Sequence, residues 1–448
     1  MKTSSIAAAL AAATIVNATP RDLVARASTL PAITVKGNAF FSGDSRFYIR
    51  GVDYQPGGSS DLVDPIADVA TCKRDIAYFT KLGINTVRIY TVDNTAKHDE
   101  CMSLLAAAGI YLVLDVNTPL YSLNRADPHP SYNAVYLQNV FATIDAFAGY
   151  TNTLAFFSGN EVINDDTTTS AAPYVKAVTR DMRNYIKSMG YRQIPVGYSA
   201  ADVDSNRKEM ADYMNCGSTE ERSDFFAFND YSWCDPSSFT TSGWDQKVKN
   251  FTGYGLPIFL SEYGCNTNTR DWGEVKSLYS TDMTAVYSGG LVYEYSQEES
   301  KYGLVTLSGN TVTPLDDFTN LVTAFKETAN PSGDGGYNST GGASGCPVQS
   351  ANWNVTSNDL PSIPSAAAAF MKKGAGDGAG LTGKGSQNAG GTSTGTTSSG
   401  SGSSGTTGSA SPTSSKGAGA SLQPPFSAAP LVVSAITVAF AFLGAGLL

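Results

Sequence analysis

The stretch LAFFSGNE, residues 154–161, decides how the rest of the chain is interpreted. Its unbroken apolar and aromatic run predicts a strand buried on both faces, and the run stops at small residues followed by Asn160 and Glu161. A second stretch of the same design, PIFLSEYG at 257–264, contains Glu262. In an α/β enzyme the carboxyl end of a buried parallel strand opens onto the ligand site. The pattern therefore predicts that both glutamates lie at the rim of a core rather than on an ordinary solvated surface.

Apolar segments of this kind alternate with helical patterns between residues 32 and 330. The predicted strands are residues 48–54, 84–90, 111–117, 154–161, 194–200, 224–232, 257–264 and 290–296. The predicted helices are residues 66–81, 97–108, 133–148, 172–189, 245–253, 274–287 and 316–328, with a short crossover at 206–215. Strict alternation with eight strands favours an α/β fold of the closed (β/α)8 TIM-barrel type. A doubly wound sheet is less favoured, because the turn QPGG at 55–58 lacks the glycine pattern of a dinucleotide site.

Both ends of the chain have the features of targeting signals. Residues 1–18 combine one early lysine, an alanine-rich apolar stretch and small residues at a cleavage position, which predicts a secretory signal peptide rather than a buried N-terminal helix. Residues 421–448 form a spacer and an uncharged apolar tail, with Gly419 in the small-residue patch just upstream. This layout predicts a glycosylphosphatidylinositol (GPI) attachment signal. A tail-anchored transmembrane helix is the weaker alternative, because no basic flank follows the tail.

Between these signals the composition divides the chain into three parts. Residues 19–330 are the predicted barrel, with a short hairpin at 33–35 and 40–41 beneath its floor. Residues 331–373 are irregular but contain Cys346, so this extension is expected to pack on the barrel. Residues 374–420 are almost entirely Gly, Ser, Thr and Ala, which cannot bury enough apolar surface to fold. They predict a disordered linker that holds the barrel away from a membrane.

The chain has six cysteines, which in a secreted protein suggests three disulfides. In the predicted barrel, one pair begins two neighbouring helices and a second pair follows two adjacent strands at the catalytic rim. The remaining two would tie the extension to the fifth crossover. The predicted pairs are Cys72–Cys101, Cys234–Cys265 and Cys216–Cys346.

The charge and the small number of metal-ligating residues exclude some functions. A net charge of −10 argues against a nucleic-acid partner. The chain has no CxxC pair and only two histidines, so no metal site and no cofactor is expected. Sequons at Asn250, Asn338 and Asn354 are predicted N-glycosylation sites, which agrees with a secretory route.

The two glutamates form a pair that suits one kind of chemistry. Glu161 and Glu262 are predicted at the mouths of strands four and seven, facing each other across the barrel axis. Retaining glycoside hydrolysis needs a carboxylic acid that protonates the leaving oxygen and an ionised nucleophile about 5–5.5 Å from it. The pair therefore predicts a retaining glycosidase-type enzyme.

Three motifs resemble those of the fungal β-1,3-glucanosyltransferases of glycoside hydrolase family 72. They are FFSGNEVIN at 156–164, LSEYGC at 260–265 and YIRGVDYQPG at 48–57, and the likeness extends over about residues 31–328. The resemblance implies that Glu161 is the proton donor, that Glu262 is the nucleophile, and that Asn160 binds the sugar 2-hydroxyl. Only one cysteine follows Cys265, so the chain resembles the branch without a cysteine-rich carbohydrate-binding module.

The resemblance also implies a set of glucan-binding residues. By local match they are Tyr90, Asp115, Asn117, Asp202, Arg207, Tyr231 and Tyr293. Alternation along the predicted eighth strand places Tyr293 and Tyr295 on the same side, with Glu294 on the other as a packing or surface residue.

The expected function is transfer of a cleaved β-1,3-glucan chain to the non-reducing end of another glucan, which elongates cell-wall glucan. The expected partners are glucan donor and acceptor chains and, through a lipid anchor, the outer face of the plasma membrane. A hydrolytic endo-β-1,3-glucanase is the alternative, because the carboxylate pair alone does not distinguish water from a sugar as acceptor. A non-catalytic wall-binding or adhesion protein is the alternative from another class, although binding needs no paired carboxylates.

Overall fold

The computed structural model of the protein describes residues 30–58, 61–387 and 389. The predicted signal peptide, most of the predicted linker, Gly419 and the predicted attachment signal lie outside these residues. Within them, no helix is both long and apolar enough to cross a membrane.

The chain begins with a small antiparallel sheet that closes the floor of the barrel. Its strands are β1 Ile33–Lys36, β2 Ala39–Ser42 and β3 Ser45–Phe47, in the order β1-β2-β3. Ile33 and Phe40 are fully buried, and the Phe40 ring lies 5.9 Å from Phe259 and 6.0 Å from Phe225, both inside the barrel. The predicted floor hairpin is confirmed, with a third strand added.

Eight parallel strands follow and close on themselves, which confirms the predicted (β/α)8 barrel. They are β4 Ile49–Asp53, β5 Thr86–Ile89, β6 Tyr111–Asp115, β7 Thr153–Asn160, β8 Val196–Ala200, β9 Phe225–Asp230, β10 Ile258–Tyr263 and β11 Tyr287–Val292. Consecutive strands pair along the chain, and β11 pairs with β4 to complete the ring. Nearly every residue of these strands is buried, because helices cover the outside and side chains fill the inside.

Helices connect the strands on the outside of the barrel. They are α1 Val69–Leu82, α2 Asp99–Ala107, α3 Pro128–Ser131, α4 Ala134–Phe147, α5 Ala172–Ser188, α6 Arg207–Met214, α7 Trp244–Phe251, α8 Gly273–Leu278, α9 Asp316–Glu327 and α10 Phe370–Lys373, with 3₁₀ turns at Thr167–Ala171 and Ala367–Ala369. Local sequence sets their ends. For example, Asp68 accepts a hydrogen bond from the Thr71 amide at the start of α1, and Gly83 ends it with a φ of 73°.

The last strand differs from its prediction. It spans Tyr287–Val292 rather than 290–296, and α8 ends at Leu278 rather than at 287. An unpredicted hairpin, β12 Val305–Ser308 and β13 Thr311–Pro314, follows before α9. A Cβ on Gly289 of β11 would lie 2.0 Å from the Ile49 oxygen of β4. Gly289 is therefore needed for close approach of these two strands.

The structure contains the three predicted disulfides, Cys72–Cys101, Cys216–Cys346 and Cys234–Cys265. The second ties the extension after the barrel to the segment that follows α6. Trp353 of this extension is fully buried, with its ring 5.4 Å from that of Tyr213.

The boundary between extension and linker requires a correction. Residues 374–387 lie on the barrel, with Ala375 and Ser386 buried, although a linker was predicted from residue 374. Amino-acid composition reflects only the apolar side chains that a segment can bury. This segment is held through its backbone, as in the 2.8 Å hydrogen bond from the Ala375 amide to the Tyr185 hydroxyl.

Candidate active site

Glu262 lies near the carboxyl end of β10 and is 7% exposed. The Tyr90 hydroxyl donates a 2.8 Å hydrogen bond to its Oε1, and the Tyr231 hydroxyl donates a 2.7 Å bond to its Oε2. Nη1 of Arg88 also donates to Oε1 at 3.3 Å. Three donors therefore fix both oxygens of this carboxylate.

Arg88 is the fully buried cation beneath this carboxylate. It projects from β5 and binds Asp115 of β6, with Nε to Oδ2 at 2.8 Å and Nη2 to Oδ1 at 3.3 Å. Its Nη1 also donates to the Ser261 carbonyl at 3.1 Å. Both carboxylate oxygens of Asp115, a predicted glucan-binding residue, thus accept from Arg88. Asp115 therefore orients the guanidinium that contacts Glu262.

A third buried carboxyl, Asp53 of β4, lies 3.9 Å from Nη1 of Arg88. Arg88 therefore faces three carboxyls, those of Asp53, Asp115 and Glu262. Burial raises the pKa of Asp53 well above its usual range, and burial raises the pKa of Glu262 to about 7 against the opposing charge of Arg88. The charge of Glu262 adds to the rise in the Asp53 pKa, whereas Arg88 and the Tyr90 hydroxyl oppose it. Asp53 and Glu262 therefore belong to one group of interacting charges around Arg88.

Glu161 directly follows β7 and is only half buried. Its φ of 49° lies in the left-handed region, which costs about 1 kcal/mol for a residue with a Cβ. The Glu161 amide donates to the Ser199 carbonyl at 2.9 Å, which fixes the backbone. Nδ2 of Asn229 donates to Glu161 Oε1 at 2.7 Å. The charge of Glu161 adds to the rise in the Glu262 pKa, so the two carboxyls share one electrostatic environment.

Asn160 is oriented by a hydroxyl network between the two glutamates. The Ser199 hydroxyl donates to Asn160 Oδ1 at 2.7 Å and lies 2.8 Å from the Ser261 hydroxyl. The Ser261 hydroxyl in turn donates to Asn229 Oδ1 at 2.9 Å. Because its oxygen is used within the protein, Asn160 retains its NH₂ group for donation to a ligand.

Three tyrosines form an aromatic cluster beside Glu262. The ring centroids of Tyr231 and Tyr293 are 6.3 Å apart, and Tyr302 lies 5.5 Å from Tyr231 and 5.4 Å from Tyr293. The buried Arg270 donates to the carbonyls of Tyr293 at 3.1 Å and Tyr302 at 2.8 Å. This bridge fixes the backbone that carries two of the rings.

Tyr293 and Tyr295 do not lie on one side of the eighth strand as predicted, because β11 ends at Val292 before the tyrosines begin. Tyr295 faces away from Tyr293, and its hydroxyl donates to Asp75 at 2.9 Å beneath α1. Glu294 is fully buried, and burial together with the nearby Glu298 raises its pKa to about 9. Of the two predicted alternatives, packing or surface, its burial supports packing.

The other predicted glucan-binding residues lie around the barrel mouth. Asp202 accepts from the Tyr231 amide at 2.9 Å and pairs with the buried Arg207, which also pairs with Asp204. Asn117 donates to the Ser158 carbonyl at 3.0 Å and accepts from the Tyr136 hydroxyl at 2.5 Å.

Four residues of the site were not predicted from the sequence: Arg88, Asp53, Asn229 and Tyr302. The first three lie inside predicted barrel strands, and their signal was a charged or amide group within a largely apolar run. Among the described residues, no group of three or more His, Cys, Asp or Glu side chains is arranged to hold a metal ion.

A family of known sequences and individual known proteins that resemble this chain are all described as glucanosyltransferases. Residues 22–329 match the family described as glucanosyltransferase, glycoside hydrolase family 72. The chain is 69% identical to the 1,3-beta-glucanosyltransferase gel1 of Aspergillus fumigatus, covering 100% of this chain and 99% of that protein. It is 55% identical to the 1,3-beta-glucanosyltransferase GAS5 of Saccharomyces cerevisiae over 81% of this chain and 76% of that one.

A solved structure gives the same result for the fold. A Saccharomyces cerevisiae Gas2 mutant in complex with laminaritetraose and laminaripentaose superposes with a TM-score of 0.70 at 38% identity. The match covers 75% of each chain.

Proposed function

This chain belongs to the glucanosyltransferases of glycoside hydrolase family 72, and on that premise we propose that it cuts β-1,3-glucan and joins the cleaved chain to a second glucan. The observation that carries the proposal is the contrast between a buried glutamate fixed by three donors and a second, half-buried glutamate that shares its electrostatic environment. The names of the relatives and the laminari-oligosaccharides bound by the Gas2 mutant support β-1,3-glucan as donor and acceptor.

In the first step, Glu262 is the nucleophile and Glu161 is the acid. The Glu262 carboxylate attacks the anomeric carbon while Glu161 gives its proton to the glycosidic oxygen. The bond between that carbon and the oxygen breaks, and the reducing-end fragment leaves. Arg88, Tyr90 and Tyr231 favour the ionised form of Glu262, because each donates to its oxygens.

In the second step, Glu161 acts as the base. It removes a proton from a hydroxyl at the non-reducing end of the acceptor, and that oxygen displaces Glu262 from the anomeric carbon. Two displacements at one carbon retain the β configuration. Asn160, whose carboxamide oxygen is held by Ser199, supplies a donor for the sugar 2-hydroxyl.

Transfer is favoured over hydrolysis by the aromatic cluster of Tyr231, Tyr293 and Tyr302. Aromatic faces bind the apolar faces of sugar rings and displace water from the glycosyl-enzyme. A hydrolytic endo-β-1,3-glucanase would use the same two carboxylates and differ only in the acceptor. The paired carboxylates favour an enzyme of one of these two kinds over a wall-binding or adhesion protein, because such a protein needs no pair of catalytic carboxylates.

The secreted and lipid-anchored location is part of the proposal. It is supported by the residue pattern at 1–18 and 421–448, with attachment at Gly419, and by the three disulfides. Asn250 and Asn354 are exposed and Asn338 is half-exposed, as acceptors of N-glycans are expected to be. The protein would then act at the outer face of the plasma membrane and in the cell wall.

Incubation of the purified protein with a single reduced laminari-oligosaccharide tests the proposal. Sizing of the products should reveal chains longer than the starting oligosaccharide, because an acceptor sugar replaces water. If only shorter chains appear at high oligosaccharide concentration, the protein is a hydrolase and the transferase proposal is wrong.

A further inference from the structure

Residues 374–387, named the strap here, run across the outside of the barrel after α10. At its start, the Ala375 amide donates to the Tyr185 hydroxyl at 2.8 Å, and Nε2 of Gln138 donates to the Ala375 carbonyl at 3.1 Å. Further along, the Gly380 amide donates to Asn94 Oδ1 at 3.0 Å. The strap therefore contacts α5, α4 and the segment after β5 in turn.

The far end of the strap is anchored at Ser386, which is fully buried. The Ser386 amide donates to the Leu120 carbonyl at 2.9 Å, and its own carbonyl accepts from Nδ2 of Asn133 at 2.7 Å. Next to it, Nε2 of Gln387 donates to the Ser122 hydroxyl at 3.2 Å. Both backbone groups of the buried Ser386 are thus satisfied by specific partners, as a packed segment requires.

The glycines of the strap are required by close approach. A Cβ on Gly383 would lie 1.9 Å from the Tyr121 hydroxyl, and a Cβ on Gly378 would lie 2.0 Å from Asn94 Oδ1. Gly385 has a φ of 80° and would place a Cβ 2.9 Å from the Leu120 carbonyl oxygen. Glycine is the residue whose backbone can approach this closely.

The strap ends on the loop at 116–127, named the mouth loop here, which follows β6 at the open end of the barrel. Within this loop Tyr121 and Leu123 are buried, and Thr118 and Tyr121 exchange backbone hydrogen bonds. Asn117 of the loop donates to the carbonyl of Ser158, three residues before Glu161, at 3.0 Å. The mouth loop therefore borders the side of the cleft that holds Glu161.

We propose that the strap is a positioning element of the active site, because its contacts with Leu120, Tyr121 and Ser122 hold the mouth loop beside Glu161. The strap would then contribute to glucan binding and transfer, and would not serve only as a spacer. This inference rests on the proposed function, since it assigns to the strap the shape of the same cleft.

The test uses the full-length protein with Gly383→Ala, which places a methyl group against the Tyr121 hydroxyl. Gly345→Ala is the matched control, because a Cβ there has nothing within 4 Å. The ratio kcat/KM for a laminari-oligosaccharide should fall about tenfold in Gly383→Ala, since a shift of about 1 Å in a cleft can cost about 100-fold. The ratio of transfer to hydrolysis should also fall, because a displaced loop admits water.

A second variant supplies a rescue. In Gly383→Ala with Tyr121→Phe the hydroxyl that meets the new methyl group is gone, and kcat/KM should return toward that of the wild type. A merely structural strap would lower the melting temperature without altering kcat/KM or the transfer ratio at temperatures well below melting.

Amide hydrogen exchange distinguishes failure of this inference from failure of the proposed function. The strap amides should exchange faster in Gly383→Ala and not in Gly345→Ala. If exchange rises while kcat/KM and the transfer ratio stay unchanged, the strap does not position the site. If the exchange of the strap amides does not rise, residue 383 does not lie against Tyr121, and this result also overturns the inference. A wild-type protein that only hydrolyses would contradict the transferase proposal but would leave the comparison of kcat/KM intact.

Discussion

The two carboxylates of the cleft are held in different ways. Glu262 is buried and accepts from Tyr90, Tyr231 and Arg88, and the same Arg88 lies 3.9 Å from Asp53. Glu161 is half buried and, among the residues that the structure describes, accepts one side-chain hydrogen bond, from Asn229. A nucleophile must stay ionised and fixed, whereas an acid that becomes a base must gain and lose a proton in each cycle. The difference in support matches the difference in task.

The largest expected effect comes from the more firmly held carboxylate. Glu262→Gln should reduce transfer by at least about 10⁴-fold with every donor, because no glycosyl-enzyme can form. Initial rates with glucan and with a glycosyl fluoride measure this effect.

Glu274→Gln is the control for Glu262→Gln. Glu274 is also buried, and burial raises its pKa to about 8, so glutamine resembles its protonated form. Activity in this control should stay near that of the wild type. Equal loss in both variants would mean that Gln at any buried glutamate damages the fold.

Glu161→Gln should be the next most damaging change, but only for donors that need an acid. Transfer from glucan should fall by about 10³-fold, since general acid and base assistance contributes about 10²–10⁴-fold. A glycosyl fluoride needs no proton donor, so its first step should survive. Single-turnover fluoride release measures that step, and a loss equal to that on glucan would contradict the role of Glu161 as acid.

Tyr231→Phe should change the dependence of activity on pH through Glu262 and not through Glu161. The Tyr231 hydroxyl lowers the pKa of Glu262 by donating to it, so its removal raises that pKa. Because Glu262 acts in its ionised form, activity is lost as pH falls through its pKa, and the acid limb of kcat/KM should move to higher pH. The rate at the optimum should fall about tenfold. An acid limb that does not move would mean that Glu262 does not set it.

The smallest expected effect on activity comes from the disulfide near the nucleophile. Cys234–Cys265 joins the loops after β9 and β10, whereas Cys72–Cys101 joins α1 and α2 on the outside. The pairs are 31 and 29 residues apart in sequence, so removal of either by serine should cost a similar free energy of unfolding, about 2–5 kcal/mol.

Only removal of Cys234–Cys265 should also lower kcat/KM, by a few-fold, because that pair braces the segment between Tyr231 and Glu262. Urea unfolding and kinetics on both variants make the comparison. An equal loss of kcat/KM in both would show that the disulfide near the nucleophile acts through stability alone.

The sequence predicted the barrel and the two glutamates because buried parallel strands have a strong pattern. It did not predict that Arg88 joins Glu262 and Asp53, since the three lie on different strands and only closure of the barrel brings them together. The eighth strand was predicted to begin at residue 290, whereas it begins at Tyr287 and includes Gly289, whose close approach to β4 depends on closure of the barrel.

The strap was missed for a related reason. Composition measures apolar side chains, whereas Ser386 is held by backbone hydrogen bonds that depend on the position of Leu120 and Asn133. Contacts of this kind join residues far apart in the chain and leave no local pattern.

The measurement that tests the account most directly is the mapping of a trapped intermediate. A 2-fluoro-glucosyl fluoride donor slows the second step, so the sugar should remain bound to the protein. In both the wild type and Glu161→Gln, peptide mapping should find the adduct on the peptide that contains Glu262. An adduct on Glu161, or a first product of inverted configuration, would contradict the assignment of the two carboxylates.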